Sequence, residues 1–342
     1  MEGRDNTRPW PKDPQLKAYM FHNRREGSVF DLLLDKLLLS FSQVRASLRP
    51  NETFGVIFAS TKGMSEDFVW KDGDPAHQRD PLTPLLEEFL KRTELRPRRA
   101  LCVSNACSSS LAALALSERW MHEGISQVLI ISADAVSPFV MKGFQALKLI
   151  SATGVRSFSG DRNGFFLGEA AACLLVTREQ RSSSLKIHPV GLDSEGSPVT
   201  RPTSSGASLR QAALRIPGLL ENRPDILVAH GTGTVINDET EDLAFSTLFA
   251  DNGGEMPVIT GTKWCVGHTL AVSGAIDMIA SAEALLAQKI FRLENTETPD
   301  ARFRGFYLVK GAETPQTFSR IMISSLGFGG MHASALLEKV ST

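Results

Sequence analysis

Residues 100–124 read ALCVSNACSSSLAALALSERWMHEG. A short apolar strand, Ala100 to Ser104, gives way at Cys107 to a helix reaching roughly to Glu123. Leu111, Leu114, Ala115 and Met121 recur on its apolar side, and Gly124 supplies the stop. The unit therefore sets a cysteine where a helix begins. Unpaired N–H groups and the positive end of the dipole at that point favour thiolate over thiol. Such a setting lowers a cysteine pKa from about 8.5 toward roughly 3.5–7.5. A thiolate held there can attack a thioester while neighbouring N–H groups stabilise the oxyanion. Taken alone, the segment reads equally well as a small buried residue at a helix start.

The alternation of strand and helix continues in both directions. Phe54 to Ala59 is a buried strand, residues 63–81 are a Gly-, Asp- and Pro-containing loop, and Pro84 to Lys91 is helical. Val128 to Ile131 is a fully buried strand, Pro138 to Leu149 a helix, and Ala170 to Val176 a strand. After the polar stretch 179–186 the rhythm repeats. A strand at Ile226 to Ala229 precedes a helix from about Asp238. A strand at Val258 to Thr260 precedes a long helix from His268 to Lys289, and strands at Ile321 to Ile323 and Ala333 to Leu337 close the chain. This is an α/β pattern. Two halves of similar order suggest an internal duplication, although no residue-level repeat stands out. Upstream, Val29 to Leu39 is strongly apolar. Interrupted by Asp31, Asp35 and Lys36 and too short to cross a bilayer, it is expected to be an amphipathic core helix.

The 342 residues suffice for about two domain-sized units or one large core. With 42% hydrophobic and 22% charged residues, the composition is that of a globular enzyme. A net charge of −1 offers no global field for nucleic acid or an anionic membrane. Cys102, Cys107, Cys173 and Cys265 form no CxxC pair and no zinc-type cluster with histidine, so no metal is expected. Free thiols suit a reducing cytosol. The N-terminal MEGRDNTRPWPKD lacks the apolar core of a signal peptide, and the expected location is cytoplasmic.

Three more segments carry chemistry. In Val228-Ala229-His230-Gly231-Thr232-Gly233-Thr234 a histidine ends a buried strand, where open α/β sheets present functional groups. Its threonines suit a thin polar substrate arm, and without a GK[ST] ending the turn is no phosphate loop. Gly261-Thr262-Lys263-Trp264-Cys265-Val266-Gly267-His268 sets a lysine and a second histidine between a strand and a helix of small residues. Ser325-Leu326-Gly327-Phe328-Gly329-Gly330 surrounds one aromatic with glycines that permit positive φ. Each has a plain structural reading when taken singly.

In this order, together with Phe158-Ser159-Gly160-Asp161-Arg162-Asn163-Gly164-Phe165-Phe166-Leu167-Gly168-Glu169, the segments resemble the elongating β-ketoacyl-[acyl carrier protein] synthases of the thiolase superfamily. The resemblance runs from about residue 54 to the end. It implies a five-layered αβαβα fold built from two duplicated halves, residues 54–185 carrying the nucleophile and 186–342 the histidine pair, after a divergent segment 1–53. It implies Cys107 as acyl acceptor. His230 and His268 would be the pair that binds malonyl thioester and promotes decarboxylation, with Lys263 supporting them through Glu241. Thr232, Thr234 and Thr200 would contact the phosphopantetheine arm. Phe328 would be a gate, Phe144 the pocket aromatic that limits acyl length, and the N–H groups of Cys107 and Phe328 the oxyanion hole. The reaction implied is decarboxylative Claisen condensation with malonyl-acyl carrier protein, giving a 3-oxoacyl product in fatty acid, polyketide or polyene synthesis. No cofactor is implied beyond the carrier's phosphopantetheine. The implied partners are acyl carrier protein and a second ketosynthase-like subunit, identical or homologous, joined near Leu101 to Ser104.

The chain departs from the pattern in several places. The usual N-terminal strand has no counterpart in residues 1–53, the stretch between Gly63 and Arg99 is short, and Met331-His332 stands where Thr-Asn is common. Lys91, Arg92, Arg96, Arg98 and Arg99 form a basic cluster, either a carrier dock or a solvated turn. Two other functions stay open: a non-catalytic chain-length partner subunit, and an acyltransferase that passes the Cys107 acyl group to a non-malonyl acceptor.

Overall fold

The structure, a computed structural model, describes residues 7–10, 13–19, 28–63, 65, 80–179, 185–196, 204–253 and 255–340. Its order is β1 (Thr7–Trp10), β2 (Asp13–Tyr19), α1 (Val29–Val44), β3 (Phe54–Ala59), α2 (Thr83–Thr93), β4 (Arg99–Val103), α3 (Ser109–His122), β5 (Gln127–Asp134), α4 (Pro138–Ala146), β6 (Leu167–Gly168), β7 (Ala170–Thr177) and β8 (Leu185–Ile187). There follow β9 (Gly191–Ser194), α5 (Ala207–Leu214), β10 (Ile226–Val228), α6 (Val235–Phe245), β11 (Val258–Thr260), α7 (Lys263–Val266), α8 (Ser273–Ala287), β12 (Phe306–Tyr307), β13 (Arg320–Gly327) and β14 (Met331–Lys339). A four-stranded sheet has the order β4-β3-β5-β7. A seven-stranded sheet has the order β12-β11-β10-β13-β14-β8, with β9 also on β14.

Apolar runs along the central strands cover both faces of each sheet. Val56 and Phe58 point outward to Leu33, Leu37 and Phe41 of α1 and Leu85 and Phe89 of α2. Ile57 and Ala59, of opposite parity, point inward to Leu111 and Leu114 of α3 and to Met278 and Leu285 of α8. Ile226, Ile321 and Ile323 close the same inner core from the other sheet. Leu227 and Met322 face outward to Leu209 of α5 and Phe245 of α6. Two sheets thus alternate with three helical layers, the thiolase-like arrangement, and α3 and α8 lie together in the middle one. Strands buried on both faces read as continuous hydrophobic runs, which is why the sequence located them.

Helix ends differ from expectation where the backbone turns sharply. The helix after Cys107 starts at Ser109, not at the cysteine. The helix from Pro138 stops at Ala146, and Lys148 follows with φ +58°. His268 lies outside the long helix: a short helix α7 and a 3-10 turn at Leu270–Val272 precede α8. The apolar run at Val29 forms α1 with Leu33, Leu34, Leu37 and Phe41 buried, as expected. Residues 270–287 would be long and apolar enough to span a membrane, yet 61% of that stretch is buried, as befits a central core helix.

Within residues 1–53, for which the sequence suggested no familial counterpart, the structure describes β1, β2 and α1. β2 pairs parallel with β6 through Ala18↔Leu167 and Tyr19↔Gly168. β6 in turn flanks the His268 turn: His268 N donates to Phe166 O at 2.7 Å, and Gly168 N donates to His268 O at 3.0 Å. A Cβ on Gly168 would sit 2.1 Å from Val266 O, so only glycine admits this approach.

Candidate active site

The sequence distributes its candidate residues over four strand ends, and the fold gathers most of them. A cavity of about 240 Å³ is lined by Cys107, His230, His268, Thr232, Thr234, Phe144 and Phe328. Cys107 follows β4, His230 follows β10, His268 follows β11 through α7, and Phe328 follows β13. The two imidazole rings lie 5.2 Å apart between centroids, nearly perpendicular at 86°. Phe144 packs edge-on to Phe328 at 5.3 Å and lies 6.5 Å from the His268 ring. A larger cavity of about 700 Å³, between α3 and the chain around Leu185 to Val190, holds none of the candidates.

The cysteine turn corrects one expectation. Its early helical N–H groups are already used: Ser108 N donates to Asn105 O and Ser109 N to Ala106 O. Burial dominates and pushes the Cys107 thiol up to about 11; the N–H groups of Phe328 and Cys107 and the charge of Lys263 oppose it. A helix start lowers a thiol only where its dipole and donors outweigh the loss of water. The backbone N–H groups of Phe328 and Cys107 both lie within hydrogen-bonding reach of the sulfur.

Both histidines are held neutral. Burial, and then the Lys263 charge, set their pKa well below the ordinary value. Leu270 N donates to His268 Nδ1 at 3.1 Å, so the ring proton sits on Nε2. The Ser273 hydroxyl lies 3.2 Å from the same Nδ1.

Lys263 is 2% exposed, and its Nζ lies 3.8 Å from Asp277 Oδ2. Asp277 is thus the acid nearest its ammonium, while the Lys263 charge is also felt by Glu241. Glu241 accepts from His230 N at 2.7 Å, Gly231 N at 2.6 Å and Ser324 Oγ at 3.0 Å. Its hydrogen bonds fix the histidine turn, and the Lys263 charge favours its ionised form. The Thr232 and Thr234 hydroxyls lie 3.0 Å apart on the same turn. Thr200 lies outside the described residues.

His332 does not line the cavity. It is 2% exposed, with Nε2 2.8 Å from Glu195 Oε1. The basic cluster runs from the last turn of α2 to Arg99, the first residue of β4, at the end of that strand remote from Cys107. Lys91 and Arg92 pair with Glu88, and Arg99 pairs with Glu123. Sequence reasoning passed over Asp134 and Asp277, both buried. Neither carries a spacing signal, because an acid ending a strand or lying inside a helix is ordinary.

The sheets, the layer order and the strand–turn–helix unit around Cys107 define a thiolase-fold protein. Models described as "Beta-ketoacyl synthase, N-terminal domain" and "Beta-ketoacyl synthase, C-terminal domain" match residues 99–182 and 186–297, together more than half of the chain. The chain belongs to the β-ketoacyl synthase family.

It is 30% identical over 252 residues to a "Putative polyketide beta-ketoacyl synthase 1" of Streptomyces cyaneus, covering 69% of this chain and 59% of that protein. The match to that relative thus takes in about three fifths of its length. Among solved structures the chain is similar to a chain of the complex described as a type II polyketide synthase acyl-carrier protein with its ketosynthase, with a TM-score of 0.79, 19% identity, and coverage of 95% of this chain and 89% of that one. It is also similar to a chain of the complex of a ketosynthase with its chain length factor from Xenorhabdus doucetiae, with a TM-score of 0.74, 23% identity, and coverage of 95% of this chain and 88% of that one.

Proposed function

We propose that the chain joins an acyl group carried on Cys107 to the two-carbon unit of malonyl-acyl carrier protein, releasing carbon dioxide and 3-oxoacyl-acyl carrier protein. One observation carries the reading: a thiol and two neutral imidazoles from distant parts of the chain line one cavity. In the first stage Cys107 attacks the acyl thioester; its sulfur–carbon bond forms, the carrier sulfur leaves, and the proton passes to that sulfur. The N–H groups of Cys107 and Phe328 bind the oxyanion. In the second stage the malonyl carbon–carboxylate bond breaks, its electron pair becomes an enolate, and carbon dioxide departs. His268 Nε2–H, with His230 beside it, donates to the enolate oxygen. The enolate carbon attacks the Cys107 thioester and expels the thiolate, which recovers a proton.

Lys263 adds to burial in keeping both imidazoles neutral, and Asp277 lies beside it. Thr232 and Thr234 are assigned to the phosphopantetheine arm, Thr200 to the same arm by resemblance alone, Phe328 to the gate and Phe144 to the acyl-length limit. Acyl carrier protein is the partner. A second subunit, identical or homologous, is assigned to the edge strand β4, where Ala100 and Leu101 are exposed.

Intact mass after incubation with acyl carrier, followed by carbon dioxide release with malonyl carrier, tests the reading. A Cys107 adduct that consumes malonyl carrier supports it. No adduct with several acyl lengths favours the non-catalytic partner subunit, and an adduct without carbon dioxide release favours an acyltransferase.

A further inference from the structure

We propose that Asp134 is a positioning residue for His268, holding from the opposite sheet the turn that carries it. This rests on the assignment of His268 as the enolate's hydrogen-bond donor. Asp134 ends β5 and is 0% exposed. Its Oδ1 accepts from Ser60 Oγ at 2.8 Å, while Oδ2 accepts from Thr61 N at 2.9 Å and Ala271 N at 3.0 Å. Ser60 and Thr61 belong to the same side of the molecule as β5; Ala271 belongs to the other. The carbonyl of Ala271 is taken as well, by the Ser110 hydroxyl of α3. Both peptide groups of a single residue, three places after His268, are thus bound by the sheet and helix that carry Cys107.

Between the two lies Leu270, 1% exposed, with φ +54°. A left-handed non-glycine residue persists only where its surroundings over-determine it. Here its side chain packs in a cluster with Phe165 and Phe166, and its successor is clamped. The bend has one visible product: it aims Leu270 N at His268 Nδ1, which fixes the tautomer with Nε2–H free for the cavity. Asp134 itself does not line the cavity. It acts through Ala271, then Leu270, then the imidazole. The charged or titratable neighbours whose fields couple to it are Lys62 after β3 and Cys107 before α3.

The experiment separates two half-reactions of the full chain: acylation of Cys107, followed by mass, and carbon dioxide release from malonyl carrier. Asp134→Ala is expected to slow carbon dioxide release about ten- to a hundred-fold, the scale of a lost charged hydrogen bond. Acylation should change by less than about three-fold. Asp134→Asn keeps an oxygen for Ala271 N and Thr61 N and turns its amide to Ser60. It should restore carbon dioxide release, and it should lower the pH midpoint of Cys107 alkylation, because an anion near the thiol is gone. Equal loss of both half-reactions in Asp134→Ala, or an Asn variant as impaired as Ala, overturns the proposal. Should Asp134→Ala fail to fold, Ser110→Ala removes the other grip and should bias the loss the same way; a proportionate loss overturns it. Wild-type chain inactive in both half-reactions sinks the ketosynthase reading itself, before any variant is made.

Discussion

In the smaller sheet β3 pairs parallel with β4 and with β5, and β5 pairs antiparallel with β7. In the larger sheet β10 pairs parallel with β11 and with β13, and β13 pairs antiparallel with β14. Strand for strand the winding is the same, and the helices after the corresponding strands β4 and β11, α3 and α8, meet in the central layer. The side chains at corresponding places differ. The turn after β4 carries Cys107; the turn after β11 carries Lys263 and His268. The turn after β10 carries His230, while the turn after β3 carries Ser60 and Thr61, which hold Asp134. Shared topology brings strand ends to one place, and the residues at those ends divide the chemistry. One side presents the Cys107 thiol, the proposed nucleophile, and the other the two neutral imidazoles, the proposed donors.

The hardest way to break this division is to remove a donor. His268→Ala should leave Cys107 acylation near wild type and slow condensation by about 100- to 1,000-fold, since one oxyanion-type donor is worth about 2.7–4 kcal/mol. Parallel mass and carbon dioxide assays check it. Equal loss in both stages would mean that the two sides do not divide the work.

A second test concerns the protonation that each side imposes. Burial holds Cys107 near about 11 and keeps the imidazoles neutral. Because the thiol's pKa lies above the assay range, its thiolate fraction rises about tenfold per pH unit. Iodoacetamide alkylation of the free chain should therefore quicken about 100-fold between pH 7 and 9 without a plateau. A plateau near neutrality would show that Lys263 and the two N–H groups outweigh burial.

Next in size is the seam between the halves. A Cβ on Gly274 of α8 would lie 2.8 Å from Leu111 Cγ of α3. Gly274→Val should destabilise the fold by about 1–3 kcal/mol through overpacking, measured by denaturant unfolding. An unchanged midpoint would mean that the helices can slide apart without loss.

Much of this was legible in the sequence. Strands buried on both faces, such as Val128 to Ile131, announce themselves as apolar runs, and Cys107, His230, His268 and Phe328 stand beside small residues that form turns at strand ends. What stayed hidden depends on contacts between distant segments. Asp134 and Ala271 are separated by 137 positions, and nothing local marks either one. Asp277 as a partner of Lys263 was hidden for a related reason: it lies inside a helix 14 residues on, whereas Glu241, held by four buried donors, feels the Lys263 charge only through space. The Cys107 pKa was misread because a helix start is visible in sequence and the depth of its burial is not. The winding of the two sheets emerged only from strand pairing, because duplicated backbones no longer share residues.

The finest test sets the two cross-sheet grips against each other. Ser325 Oγ of β13 donates to Cys107 O at 3.1 Å, from the histidine side to the nucleophile turn. Asp134 of β5 reaches the other way, to the turn that carries His268. Ser325→Ala removes one neutral hydrogen bond at a buried site, so stability should fall by about 0.5–1.5 kcal/mol in denaturant unfolding. If each grip serves the turn it holds, the functional cost falls on Cys107 acylation, by up to about ten-fold, and carbon dioxide release stays unchanged. This is the mirror of the pattern expected for Asp134→Ala. A Ser325 variant that slows carbon dioxide release as much as acylation would show that the two turns move as one body and that the reciprocal grips merely glue the sheets together.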